Sequence, residues 1–197
     1  MTSTLRLLDR YKSANKLMLC PPQERTINYC LFRKKVWKKS SHRKLFQLTD
    51  SGTVLAGAEL VSSKLIEISN NLGQVSSVEI KSTSKGPFTL RIGNDKLMDI
   101  YASSKRAITL QFYRDEDSKF PYSTLLSPAG SCEDLKKAFG DRKVIKSVKN
   151  CKLLDTDGKE IIAIRKIQKD ALSIDAKRNI SFLSCMTVGL FMFLSRP

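Results

Sequence analysis

The chain has 197 residues, which suits a single domain, and its hydrophobic content of 41% is enough to form a sizeable core. It carries 35 Lys and Arg against 19 acidic residues, a net charge of +16, which favours an anionic partner, either nucleic acid or the cytoplasmic face of a membrane. Five scattered cysteines without a C-x-x-C pair argue against a zinc site or a disulfide framework, and they indicate a reducing, intracellular compartment.

The N-terminal residues 1–25 are interpreted as a lead-in segment to a domain over residues 26–197. Charges interrupt the apolar core that a signal peptide would need, and CPPQ at 20–23 ends any helix that starts before it. The domain then opens with a basic run, RKKVWKKSSHRK at 33–44, which holds seven Lys or Arg, one His and no acid. These seven cations are the candidate anion-binding residues: Arg33, Lys34, Lys35, Lys38, Lys39, Arg43 and Lys44.

Three readings of the basic run stay open. It could be a solvated loop between two strands, a site for anionic lipid headgroups, or a nucleic-acid contact, because such runs are not specific. Selective headgroup binding requires several cations to converge on phosphates, and Arg can bind them in bidentate fashion. Trp37 could lie at the headgroup level or pack in the core. Base stacking would call for further aromatic residues on strands.

Short strands separated by turns follow the basic run. LFQL at 45–48 and TVLAGAEL at 53–60 flank a TDSG turn, a pattern typical of a β-hairpin. A polar loop is expected at 114–123. Between the hairpin and this loop, further strands are predicted at 64–69, 75–80, 88–92, 96–102 and 107–113.

After the polar loop, the sequence predicts one surface helix, one strand and a second hairpin. The helix falls within 127–139, with Ser131 as its N-cap and Asp134 three residues later. The strand is predicted at 143–148. The hairpin spans 151–167 around Asp157-Gly158, and its pattern resembles that of the first hairpin. An antiparallel sheet built from repeated hairpins is therefore expected.

The last apolar segment, 180–194, has fifteen residues without a charge and is apolar on every face of a helix. Such a helix must be buried in protein or in lipid. At roughly 22 Å it is short for a bilayer core of about 30 Å, so a buried helix is favoured and a C-terminal membrane anchor is the alternative. We predict an α+β, mainly β fold, with a closed antiparallel barrel around a helix at about 179–195. Closure also removes exposed sheet edges.

Catalytic motifs are not evident. The one histidine, His42, lies inside the basic run without a carboxylate nearby in sequence. DEDS at 115–118 and LLDTDGKE at 153–160 lack the spacing of a calcium-binding loop, and no Walker A or G-x-G-x-x-G motif occurs. A non-enzymatic protein without metal or cofactor is expected.

Several of these segments resemble the tubby C-terminal domain and its relatives, the LURP-one-related and phospholipid scramblase proteins. SVKN at 147–150 and ALSID at 171–175 are similar to tubby strands, and 180–194 falls where the family has its central helix. The stretch NYCLFRKKVWKKSSHRKLFQL is similar to a tubby strand with a basic cluster, although Val36-Trp37 splits the cluster here. The resemblance covers about 28–60 and 143–197.

The resemblance implies a barrel of about twelve strands around the hydrophobic helix. It also implies that the basic run matches the tubby patch that binds phosphatidylinositol bisphosphate at the plasma membrane. The expected protein is a monomeric, cytoplasmic, peripheral membrane-docking or adaptor module, with a protein cargo and a nuclear location left open. The alternatives are a nucleic-acid-associated basic protein and a tail-anchored or scramblase-like membrane protein.

Overall fold

A computed structural model of the protein describes residues 26–38, 41–70, 73–82, 86–102, 107–113, 121, 123–127, 134–177 and 180–195. Within these ranges the chain forms twelve strands and two helices. In chain order, the strands are β1 Thr26–Lys38, β2 Ser41–Asp50, β3 Thr53–Ser62, β4 Leu65–Asn70, β5 Gly73–Ile80, β6 Phe88–Ile92, β7 Asp95–Ala102, β8 Ile108–Phe112, β9 Ser123–Ser127, β10 Cys151–Leu154, β11 Glu160–Gln168 and β12 Ala171–Lys177. The helices are α1 Leu135–Phe139, between β9 and β10, and α2 Phe182–Leu194, after β12.

The strands form one closed antiparallel barrel. Each strand pairs with its neighbours in the chain, and β1 also pairs with β12, from Thr26 opposite Lys177 to Phe32 opposite Ala171. This last pairing joins the two ends of the sheet, so the barrel has no free edge. The prediction of a closed barrel of about twelve strands around a C-terminal helix is confirmed.

Helix α2 runs through the inside of the barrel. Its side chains from Leu183 to Phe193 are all buried, and it contacts β1 and β12 on one side and β6 and β7 on the other. These two strand pairs are opposite each other in the circular strand order. Ser181 caps the helix, since its hydroxyl accepts a hydrogen bond from the Ser184 N–H at 3.1 Å. The segment that carried the membrane-anchor alternative is therefore enclosed by protein.

Along each strand, every second side chain points into the barrel and lines the core. Ile66 and Ile68 of β4, and Phe88 and Leu90 of β6, are fully buried, while their neighbours in sequence are partly exposed. The Phe88 ring meets Phe191 of α2 edge to face, with ring centroids 5.0 Å apart. The barrel and its helix thus share one hydrophobic core.

Both predicted hairpins are confirmed. β2 and β3 join through Ser51 and Gly52, both of which adopt positive φ angles. β10 and β11 join through 155–159, where the Asp155 carboxylate accepts hydrogen bonds from the backbone N–H groups of Asp157 and Lys159.

The predicted strand at 143–148 is wrong, because this segment is irregular and ends in a turn. Among the described pairings, β10 reaches along β11 only to Ile164, and the segment turns at 148–149 rather than extending along the edge of β11 beyond that point. The segment instead lies against β11, where the Ile145 N–H donates to the Lys166 carbonyl at 2.7 Å.

Two other predictions need correction. The sequence predicts no element for 124–126, between the polar loop and the helix segment, whereas the structure has the five-residue strand β9 at Ser123–Ser127. Helix α1 is shorter than expected and is capped by Asp134, whose side chain accepts from the Lys137 N–H at 3.0 Å. The cap predicted at Ser131 and the lead-in segment 1–25 lie outside the described residues.

Candidate functional site

Most of the basic run belongs to two paired strands rather than to a loop, so the loop interpretation is wrong. Lys35 lies opposite Lys44 and Val36 opposite Arg43 in the β1–β2 register. Among the described pairings, β1 is bonded to β12 only as far as Phe32, and β2 is bonded to β3 only from Leu45 onward. Residues 33–38 and 41–44 therefore form a two-stranded segment that, beyond Arg33, pairs only with itself in the described register, and we call it the basic ribbon.

The basic ribbon extends past the neighbouring turn of the barrel wall. The β11–β12 turn lies beside Arg33, where the Arg33 N–H donates to the Asp170 carbonyl at 2.8 Å. The five residues of β1 after Arg33 extend about 17 Å at the rise of a strand. The ribbon thus starts at the barrel end where α2 also ends, and we call this the ribbon end.

Arg33 anchors the base of the ribbon. Its guanidinium forms an ion pair with the Asp170 carboxylate, in which Nε donates to Oδ1 at 2.7 Å. Its Cζ also lies 5.2 Å from the centre of the Phe193 ring, near the end of α2. Arg33 is half-buried and is already engaged by these two groups. Its position suits holding the ribbon in place more than reaching a ligand.

The structure describes the other six predicted cations to different extents. Lys34 and Lys44 are exposed on the two strands of the ribbon. For Lys35, Lys38 and Arg43 the backbone lies in β1 or β2, and their side chains are outside the described part. Lys39 lies outside the described residues altogether. The ribbon thus brings together at least the backbone positions of six of the seven candidates.

A further cation at the ribbon end was missed by the sequence interpretation. The Lys149 ammonium donates to the Met192 carbonyl in the last turn of α2, and it lies 5.9 Å from the centre of the Phe193 ring. A cation here is favourable because the carbonyl end of a helix carries partial negative charge. In the sequence, Lys149 belongs to the SVKN motif at 147–150, which shows no link to the end of α2.

Positive charge accumulates around Lys149. Burial, and to a smaller extent the nearby charges of Lys166 and Arg33, together lower the pKa of the Lys149 ammonium to about 8. Three cations therefore act on one another at the base of the ribbon. An approaching anion would relieve this repulsion, so the ribbon end suits an anionic partner.

A buried ionic network supports the wall beside the ribbon strand. The Asp175 carboxylate of β12 accepts from Arg165 at 3.0 Å and from Arg142 at 2.6 Å. Asn28 of β1 donates to the Ser173 hydroxyl at 2.8 Å, and Arg165 donates to the same hydroxyl at 2.9 Å. The network joins β1, β11 and β12 to the segment that follows α1, so its role is to hold the wall together.

Metal-ligand clusters and membrane-spanning helices are both absent from the described residues. In the described part of the chain, no group of three or more His, Cys, Asp or Glu side chains is placed to hold a metal ion. Of the helices within the described ranges, none combines the length and the apolar character needed to cross a membrane.

Comparison with known proteins leaves the family open. No protein-family model matches the chain, and no curated protein sequence matches it. The basic ribbon and the ribbon end are therefore the observations on which a function can be based.

Proposed function

We propose that the protein is a non-enzymatic membrane-docking module that binds phosphoinositide headgroups through the basic ribbon, and that it is a divergent tubby-like protein. The observation that carries the proposal is the ribbon itself. Two strands rich in cations and without an acid leave the barrel wall together, with Lys34 and Lys44 exposed. Because the ribbon extends past the β11–β12 turn, its cations can contact a flat anionic surface that the barrel wall does not reach.

The expected strength follows from the number of cations. Each Lys or Arg near an anionic membrane surface contributes about 1 kcal/mol, and less where the charges crowd together. With Arg33 engaged by Asp170, the other six candidates give roughly 3–5 kcal/mol on this scale. Attachment of this strength is reversible and weakens with salt. A polyphosphorylated headgroup would add selectivity by contacting several cations at once.

A charge-matched pair of variants tests the site. Lys34→Gln/Lys35→Gln/Lys44→Gln neutralises three ribbon positions, whereas Lys136→Gln/Lys137→Gln/Lys159→Gln removes the same charge from exposed positions elsewhere. In co-sedimentation with phosphatidylcholine vesicles that contain phosphatidylinositol bisphosphate, the ribbon triple should bind at least about tenfold more weakly than the wild type. The control triple should lose less than about threefold.

Two outcomes would contradict the proposal. Equal wild-type binding to pure phosphatidylcholine vesicles would show that the headgroup charge is not recognised. Equal losses in the two triples would show that overall charge, rather than the ribbon, drives the binding.

A second candidate function is nucleic-acid binding, because a two-stranded β-ribbon has the width to enter the major groove of duplex DNA. Duplex DNA binding would fall steeply with salt, and its logarithmic slope would report the number of phosphates contacted. Competition decides between the candidates: under the membrane proposal, phosphoinositide vesicles displace labelled duplex DNA from the protein, and excess DNA does not displace the protein from the vesicles.

A further inference from the structure

An unusual loop lies next to the basic ribbon. Ile145 and Val148 are exposed by 43% and 56%, three residues apart in the segment 143–149, and they belong to the few large hydrophobic side chains exposed in the described part of the chain. Lys143 and Lys146 of the same segment are exposed as well. Lysines flank the aliphatic side chains of this segment, which holds no acid, and this is the composition of elements that lie in an anionic membrane interface.

The loop is firmly held, so the exposure of its aliphatic side chains is a feature of the folded state. Asn150, which is only 5% exposed, donates from Nδ2 to the Ile145 carbonyl at 2.9 Å and accepts at Oδ1 from the Lys166 N–H at 2.7 Å. The Ile145 N–H in turn donates to the Lys166 carbonyl at 2.7 Å. These bonds fix the loop on β11 and hold Ile145 and Val148 toward solvent.

The loop and the ribbon share one end of the barrel. Lys149, at the end of the loop, and Arg33, at the base of the ribbon, both lie within 6 Å of the centre of the Phe193 ring, at 5.9 Å and 5.2 Å. Lys149 also bonds the Met192 carbonyl at the end of α2. A flat surface that meets the ribbon can therefore meet the loop at the same time.

We infer that the loop Lys143–Lys149 is a second membrane-contact element, which inserts Ile145 and Val148 between the headgroups of an anionic bilayer. The inference rests on the proposed membrane docking and adds an apolar component to it. The loop has no acid and carries lysines near its aliphatic residues, and both features favour an anionic bilayer as its partner. The ribbon then supplies attraction that salt weakens, and the loop supplies burial of apolar surface that salt does not weaken.

The double variant Ile145→Ser/Val148→Ser tests the inference in the full chain. With phosphatidylcholine vesicles containing phosphatidylinositol bisphosphate, its association constant should fall about tenfold, and the loss should persist at high salt. The matched control is Val54→Ser, because Val54 is 42% exposed but lies at the start of β3, at the opposite end of the barrel. The control should bind like the wild type. Thermal unfolding checks that both variants stay folded.

A fluorescence measurement gives an independent readout. In a Trp37→Phe background, the variant Val148→Trp should show blue-shifted emission and quenching by brominated phospholipid on vesicle binding, whereas Val54→Trp should show neither.

The possible results separate this inference from the proposed function. If the wild type binds, the ribbon triple loses binding and the loop double variant binds like the wild type, the inference is overturned and ribbon docking stands. Unquenched emission from Val148→Trp on bound protein also overturns it. If the wild type does not bind phosphoinositide vesicles, both proposals are overturned.

Discussion

The contact between Phe88 of β6 and Phe191 of α2 offers a direct test of the helix inside the barrel. The two rings meet edge to face at 5.0 Å, and both side chains are at most 1% exposed. Replacing either Phe with Leu removes this ring contact and leaves a small void, which should cost about 1–2 kcal/mol in each single variant. Edge-to-face pairs contribute about 0.5–1.5 kcal/mol beyond burial, so the double variant should lose less than the sum of the singles by that amount.

Urea unfolding followed by circular dichroism measures the four free energies of unfolding in this cycle. Phe182→Leu combined with Phe88→Leu is the control, because Phe182 lies nine residues earlier in α2, about 13 Å away along the helix axis. The losses of these two variants should add within about 0.3–0.5 kcal/mol. A coupling near zero for Phe88 and Phe191, with small losses in both singles, would refute the packing of α2 against this wall.

Three further predictions concern the wall, the ribbon end and the helix. Asp175→Asn leaves the buried Arg165 without its carboxylate and should cost about 3 kcal/mol in urea unfolding, while a loss below about 1 kcal/mol would contradict the network. Burial and the charges of Lys166 and Arg33 lower the pKa of Lys149 from 10.5 to about 8 in the folded protein, so between these pH values the unfolded chain binds more protons. Stability should therefore rise with pH across that window, and a pH series of unfolding should find a smaller rise in Lys149→Met. A Cβ at Gly189 would lie 2.3 Å from Cδ2 of the fully buried Leu31, so Gly189→Leu should cost at least about 2 kcal/mol, and a melting temperature equal to that of the wild type would contradict this close approach.

The barrel could be predicted because one segment leaves little choice. A helix that is apolar on every face must be surrounded, and the hairpin patterns around Gly52 and Gly158 indicate an antiparallel sheet that can surround it. Local sequence patterns fail at two places: they do not predict β9, and they predict a strand at 143–148 that the structure does not form. The five residues of β9 are too short and polar to stand out from a loop, and they become a strand through their pairing with β8, from Ile108 opposite Ser127. The β-branched residues at 143–148 do suit a strand, but the segment bonds β11 only beyond the part paired with β10, at Lys166, and then turns at 148–149.

The position of the candidate site could be predicted, but its internal roles could not. A run of cations has no apolar alternation, so it looks like a loop until the register with β2 is known. The anchor role of Arg33 depends on Asp170, which is 137 residues away in sequence. The place of Lys149 depends on the end of α2, 43 residues away. Such roles follow from tertiary pairing, which a single sequence does not display.

The direction of α2 links the fold to the charge of the ribbon end. Because β12 leads into a helix that turns back through the barrel, the carbonyl end of α2 and the face of Phe193 come to lie at the end where the ribbon begins. Both groups favour a cation, and Arg33 and Lys149 supply one each. The same placement sets these cations beside Lys166. Asp170 offsets the charge of Arg33, while desolvation and the charges of Lys166 and Arg33 lower the pKa of Lys149. Completing the core thus concentrates positive charge at one end, and an anionic surface that meets this end would offset a cost that the fold itself creates.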